Sequence, residues 1–372
     1  MSNTRNLVLL SGYYGFGNLG DEAILEEAIN EISQFVDKKE IVVLSANPEQ
    51  TQSCFQVQAI KRDNVANLAS LLPHARLLVS GGGGLFQDTK SVLSCTFYAS
   101  QILMARAFGV PAIVYAQGIG PLQGALVKQI TKGALALCQA VTLRDEISLA
   151  QARAWGIKAE LSADPVWLLE PTKPSEKLAK NLERVLGDKE KLRVGISLRP
   201  SPNFSVNHLR MLVQALKVSL PENAQLICLP LQKQFDEPIL REFLCLCFEQ
   251  GLQAEIVDAG LIERPSQWLS LIGELNFMVA MRLHAQLMAI SSCVPTVGIN
   301  YDPKVEALLT FCQQPMLNLA KETTAADWSN ILESAINASS SLSDKAQNAS
   351  QMEKKLACTN VNVLARILKS SS

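Results

Sequence analysis

What most constrains this chain is its rhythm. Short runs of β-branched residues and leucine recur along it. Each is followed by a glycine-rich or polar turn, and then by a stretch of helical periodicity. The runs predict strands at 7–10, 41–44, 77–79, 112–115 and 140–143, with helices over 21–34, 64–72, 91–108, 122–137 and 146–154. A second series predicts strands at 194–198, 226–229, 255–257, 277–280 and 296–299, with helices over 207–219, 238–250, 265–272 and 283–291. The apolar runs are continuous rather than alternating, the pattern of parallel strands covered on both faces. Between the series, 170–191 is rich in Pro, Lys and Glu and reads as a linker leading into a short helix.

The expected fold class is therefore α/β, with two doubly wound, Rossmann-like domains facing a cleft. The boundaries drawn are 1–172 for the first domain, 173–191 for the linker, 192–340 for the second domain, and 341–372 for a C-terminal loop and closing helix. The Ser/Ala/Asn-rich stretch 338–350 is expected to be loose at its start, with a helix over 352–368. In open sheets of this kind ligands bind outside the carboxyl ends of the strands, where the strand order reverses. The loops that follow strands are thus the place to look for chemistry.

Composition narrows the function classes. The 372 residues leave room for two domains, and an apolar fraction of 48% with 19% charged is globular. A net charge of −1, from 34 basic and 35 acidic residues, offers nothing to nucleic acid or an anionic membrane over the whole surface. Nine cysteines, an odd number at irregular spacing, read as reduced core residues rather than as a disulfide framework or a zinc site. No signal-peptide core opens the chain, and Arg282 and His284 interrupt its longest apolar candidate for a membrane span. A cytoplasmic protein without a transmembrane segment is expected. Peripheral contact with a membrane stays open.

Five loops carry the candidate chemistry. The first, Gly12-Tyr13-Tyr14-Gly15-Phe16-Gly17-Asn18-Leu19-Gly20-Asp21-Glu22, joins the first strand to the first helix. Its glycines would let backbone approach a ligand, and the helix N-terminus suits an anion. The spacing is neither the dinucleotide fingerprint nor a Walker phosphate loop. A tight turn capped by Asp21 explains it equally well. The second, Ser80 to Asp88, holds four consecutive glycines. Ligand contact or a domain-facing loop is favoured there over a hinge, because such a run has little local structural use. In the third, Gln117 is placed to bond a sugar hydroxyl, or to serve a plain strand-to-helix turn. Arg144-Asp145, after the next strand, reads as a structural ion pair.

The fourth loop places Arg199 at a strand end before Pro200. Its planar fork suits a carboxylate or phosphate, or equally a salt bridge to the other domain. The fifth is the most telling. At Met281-Arg282-Leu283-His284 an apolar strand runs straight into an anion-binder beside a proton-carrier, then into an apolar helix. His74 and His208 lack such a setting and read as surface residues. Lys304, after the last of these strands, opens a helix and reads as solvated before it reads as an anion contact.

Taken together, 12–22, 81–88, 117–121, Arg144-Asp145, Asp164-Pro165, Arg199, 282–284 and 300–304 resemble the polysaccharide pyruvyl transferase family, and within it the CsaB-like bacterial branch. The resemblance spans roughly 7 to 310. It implies a GT-B-like fold, phosphoenolpyruvate as co-substrate and a sugar hydroxyl pair as acceptor, and the chemistry of ketal formation from these calls for no metal or bound cofactor. It implies a donor site on the second domain, with Arg282, Leu283 and His284 matching the family motif and Arg199 matching an upstream Arg less securely. The acceptor side falls to the first domain, with Gly15, Gly17, Asn18, Gly82, Gly83 and Gln117 as contacts. The branch modifies lipid-linked cell-wall precursors. From the chemistry, His284 is the expected general acid and Asp21 a weaker candidate for the hydroxyl proton. Two rivals share the sequence pattern: a GT-B glycosyltransferase with a nucleotide-sugar donor, and a non-catalytic sugar-binding module.

Overall fold

Continuous apolar runs dictate strands that must be covered on both sides, and the chain builds two such sheets. A computed structural model of the chain describes residues 5–87, 92–188, 190–319 and 323–370. Asp88, Ser91 and Lys189, which fall in the second glycine loop, a predicted helix and the linker, lie outside the described residues.

The first unit comprises 1–169 together with 353–372. Its strands are β1 (Leu7–Ser11), β2 (Ile41–Ser45), β3 (Gln58–Lys61), β4 (Ala75–Ser80), β5 (Gly83–Phe86), β6 (Ala112–Ile119), β7 (Ala140–Leu143) and β8 (Glu160–Leu161). They run in the order β3-β2-β1-β4-β6-β7-β8, with β5 paired to β6, and the pairs are parallel. Strand order reverses between β1 and β4, which are neighbours in register Val8 to Leu77 through Ser11 to Ser80. One face of the sheet buries Leu9, Val42, Leu78 and Val114 against Tyr98, Ile102 and Leu135. The other buries Val8, Leu10, Val43 and Val79 against Leu25, Ile29, Val363 and Ile367. Each such side chain, fully withdrawn from water, contributes about 1.5–3 kcal/mol.

The second unit comprises 170–352. Its strands are β9 (Arg193–Ser197), β10 (Gln225–Cys228), β11 (Gln253–Ile256), β12 (Phe277–Ala280), β13 (Thr296–Asn300) and β14 (Met316–Asn318). The order β11-β10-β9-β12-β13-β14 is the doubly wound Rossmann order, parallel throughout. In this sheet the order reverses between β9 and β12.

Three sequence expectations are corrected by the elements. The stretch 338–350 is not loose: helix Ser339–Ser370 runs through it. Its small residues are the reason, since Leu342, Ala346 and Ala349 form one buried face at helical spacing. From Glu353 onward the same helix belongs to the first unit, where Asn360 Nδ2 donates to Ala163 O at 3.1 Å. The helix expected to start at Pro238 starts instead at Lys233 and carries that proline inside it. The four-glycine run is a loop only as far as Gly82, because Gly83–Phe86 forms β5.

Candidate functional site

In each unit two of the predicted loops follow the strands that flank the reversal of strand order, β1 and β4 in the first unit and β9 and β12 in the second. In the first unit the glycines there have two distinct uses. Gly12 and Gly81 make room for the ring of Tyr14, which is fully buried. A Cβ on Gly12 would lie 2.3 Å from Tyr14 Cζ, and one on Gly81 would lie 2.3 Å from Tyr14 Oη. A Cβ on Gly82 would lie 2.6 Å from Ile24 Cγ2. These three serve close packing, so the expectation that the second glycine run has little local structural use is corrected. Gly15 (φ +80°) and Gly17 (φ +67°) are left-handed and shape the loop itself. Nothing stands within 4 Å of a Cβ built on Gly17.

Asn18, not Asp21, caps helix Leu19–Ile32: its side chain accepts from Gly20 N, and its Nδ2 donates to Asp21 Oδ2 at 2.6 Å. Asp21 lies over β5, with Oδ1 at 3.2 Å from a Cβ built on Gly83. Gln117 is fully buried and donates from Nε2 to Gly83 O at 2.7 Å. It thus holds β5 in place, and its amide nitrogen is committed to backbone. Asn18, Asp21 and Gly83 form one cluster, and Gln117 supports it from below.

Glu22 is a member that the sequence reading left without a role. Its Oε1 accepts from Gly15 N at 2.8 Å, and the Phe16 and Gly17 amides favour its charged form. Burial pushes its carboxyl up from 4.5 to about 7, with neighbouring Asp21 adding to the rise and the three amides opposing it. Glu353, at the far end of the chain, is pushed to about 7 by burial and by Asp164. Both protons are bound more tightly in the folded chain than in the unfolded one. Their stabilisation is complete below about pH 4.5 and is lost as pH rises through about 7. Resistance of the first unit to urea should therefore fall between pH 5 and 8, by a few kcal/mol. Glu22→Gln should flatten part of that slope, because the amide oxygen can still accept from Gly15. A variant whose slope parallels the parent's would remove Glu22 as a cause.

Arg144 pairs with Asp164 at 2.6 Å rather than with adjacent Asp145. Asp145 instead caps helix Glu146–Ala154 by accepting from Ser148 N at 2.7 Å. The expected ion pair exists with a different carboxylate, because an N-cap side chain turns back onto its own helix.

In the second unit, Arg199 follows β9 and Arg282 follows β12, the two strands flanking the reversal. Arg282 is nearly buried, and the Asp236 side chain is wholly so. Arg282 Nε donates to Asp236 Oδ2 at 2.6 Å, and Nη2 donates to Oδ1 of the same carboxylate and to Gln232 Oε1 at 3.1 Å. The fork expected to meet a ligand's carboxylate or phosphate thus already holds a protein carboxylate through Nε and Nη2. Burial raises the Asp236 carboxyl above its ordinary value, against the bonds and charge of Arg282 and the charge of Arg199. Sequence reading missed Asp236 because Pro238 suggested a helix start two residues after it.

Arg199 is half-buried. It donates from Nη1 to Tyr301 Oη at 3.2 Å and lies 5.3 Å from that ring's centroid. Leu283 and His284 open helix Leu283–Ser291, whose first amides face the strand end. Gln286, fully buried, donates to Ala280 O at 2.8 Å and fixes that turn. Lys304 sits in the first turn of helix Pro303–Phe311, its amide bonded to Asp302 Oδ1 at 2.9 Å. His208 is a capping residue, bonded through Nδ1 to Ser205 N at 3.1 Å and stacked between Phe204 and Trp328. His74 is exposed, as expected.

Two Rossmann-like units in one chain, each with its polar residues at the strand-order reversal, define the fold class of the GT-B glycosyltransferases and epimerases. Solved structures of that class match nearly the whole chain. HepE from Anabaena in complex with UDP-glucose is 12% identical, with a TM-score of 0.59 over 98% of this chain and 99% of its own. UDP-GlcNAc 2-epimerase from Neisseria meningitidis, bound to UDP-GlcNAc, is 13% identical, with a TM-score of 0.65 over 98% and 100%. A glycosyltransferase from Rickettsia africae is 11% identical, with a TM-score of 0.62 over 98% and 99%. At such identities the likeness is one of fold. No curated protein is significantly similar to the chain. The chain belongs to the polysaccharide pyruvyl transferase family, whose model matches residues 18–303. No helix among the described residues is long and apolar enough to cross a membrane.

Proposed function

We propose that this chain transfers the pyruvyl group of phosphoenolpyruvate to two hydroxyls of one sugar, forming a ketal and releasing phosphate. The observation that carries the reading is the grouping of Arg199, Arg282 and His284 at the strand-order reversal of the second unit, on a chain that belongs to this family. Phosphoenolpyruvate has two anionic groups. Arg199 would meet one, and Arg282 Nη1 with the first amides of helix Leu283–Ser291 would meet the other.

His284 delivers a proton to the methylene carbon. A sugar oxygen then bonds the carbon bearing the phosphate as its hydroxyl proton passes to a base. The C–O bond to phosphate breaks, and a second hydroxyl closes the ring as its proton leaves. Every step is acid–base work by side chains and substrate, without a bound cofactor. The closer setting follows the family resemblance: a CsaB-like enzyme of the cytoplasm, acting on a lipid-linked precursor of cell-wall or surface polysaccharide.

The test is incubation with phosphoenolpyruvate and a panel of sugar acceptors, reading phosphate release and ketal mass, with UDP-sugars as the competing donors. His284→Ala should lower kcat about 10²–10⁴-fold. Near-normal ketal formation by that variant would remove His284 as the acid. Glycosyl transfer from a UDP-sugar without pyruvyl transfer would overturn the whole reading.

A further inference from the structure

The first glycine loop carries an apolar feature that packing does not explain. Tyr13 and Phe16 are 40% and 42% exposed, yet their rings stack on each other, with centroids 4.1 Å apart and planes within 12°. Arg62, in the turn after β3, lies 5.9 Å from the Tyr13 centroid and 5.1 Å from that of Phe16. Near-equal distances to two stacked rings place the guanidinium beside the stack, so it does not cap the outer face of either ring. Arg62 is itself tied down. It bonds Gly12 O at 3.4 Å and Tyr98 Oη at 3.1 Å, and it lies 4.6 Å from the Phe97 centroid. The loop is held from the other side by Glu22 on Gly15 N and by Ala46 N on Tyr14 O at 2.9 Å. The ring pair is thus rigidly presented at the carboxyl end of β1, in the same loop as Asn18.

We propose that the Tyr13–Phe16 stack, backed by Arg62, is the platform on which the acceptor's hexopyranose ring lies. The proposal rests on the pyruvyl-transfer reading for its choice of ligand. A hexopyranose has an apolar face of C–H groups and a rim of hydroxyls. The face matches an aromatic ring that stays in part exposed, and Asn18 and Asp21 follow Phe16 by two and five residues as the polar groups nearest in sequence for the rim. Arg62 sits among aromatic rings and backbone bonds, so it serves the platform as a strut rather than as a site for an anion.

The experiment is saturation-transfer NMR with a panel of methyl hexopyranosides, including the N-acetylated ones, and with uridine as the planar rival. The parent protein should transfer saturation to ring C–H protons of at least one hexoside. Tyr13→Ala with Phe16→Ala should abolish that signal and raise the acceptor KM about tenfold or more, with the phosphoenolpyruvate KM and the unfolding midpoint unchanged. Tyr13→Phe should retain both properties. A double alanine variant that binds and uses the sugar as the parent does would overturn the platform and leave the reaction standing. Lost sugar binding in a protein that never transfers pyruvate would keep the platform and sink the reaction. A parent that binds none of the hexosides, or binds uridine on these rings instead, also overturns the proposal.

Discussion

Asp236→Ala is expected to destabilise the second unit by about 3–5 kcal/mol, among the largest losses any single side chain of this protein should produce. The carboxylate takes two bonds from Arg282 in a setting closed to water, and its removal strands a nearly buried guanidinium. The companion variant decides the cause. Asp236→Leu with Arg282→Met replaces the pair by apolar side chains of similar size, and such exchanges are often neutral or stabilising. The double variant should therefore recover most of the stability and, on the proposed reaction, still lack activity, because the guanidinium that would meet the anion has gone with the charge. Denaturant unfolding and turnover, measured together, test both halves. If the double variant is as unstable as Asp236→Ala, the stranded charge was not the cause.

The second large effect concerns Gly81. Adding one methyl group there drives it to 2.3 Å from Tyr14 Oη, inside the core of the first unit. Gly81→Ala should cost roughly 1–3 kcal/mol or somewhat more. Among the described residues no hydrogen-bond partner reaches that hydroxyl. Tyr14→Phe should consequently be neutral or stabilising on its own, since it withdraws an unpaired buried group. Combined with Gly81→Ala it should relieve most of the clash, a strong positive coupling between neighbours. Gly12→Ala is the control. Its methyl would meet ring carbons at 2.3–2.8 Å, which Tyr14→Phe leaves in place. Equal relief at both glycines would show that the ring had moved as a whole, and would rule out a clash confined to the hydroxyl.

These two sites mark where sequence reading stopped. The central strands were legible because they are continuous apolar runs, and the loops after β1, β4, β9 and β12 were legible because glycines and charged residues interrupt those runs. The edge strands β3 and β14 were not. Gln58 and Lys61 are exposed, and Met316–Asn318 is only three residues long, so neither has a run to recognise. Partners distant in the chain stayed hidden as well. Asp236 lies 46 residues from Arg282, and Arg62 lies 36 from Tyr98 and 50 from Gly12. Glycines were visible by count, but whether one relieves a ring or bends a loop depends on what packs above it. Gly81 and Gly17 look alike in sequence and do opposite things.

Helix Ser339–Ser370 has a consequence for how the chain is made. Val363, Leu364, Ile367 and Leu368 complete a core whose other members come from the early part of the chain, Val8 to Ala116. A ribosome releases those early residues long before the late ones. The second unit, continuous from 170 to 352, can close while the first still waits for its last wall. Trimming the final turns of the helix should therefore harm strands more than two hundred residues upstream and spare the unit that lies between.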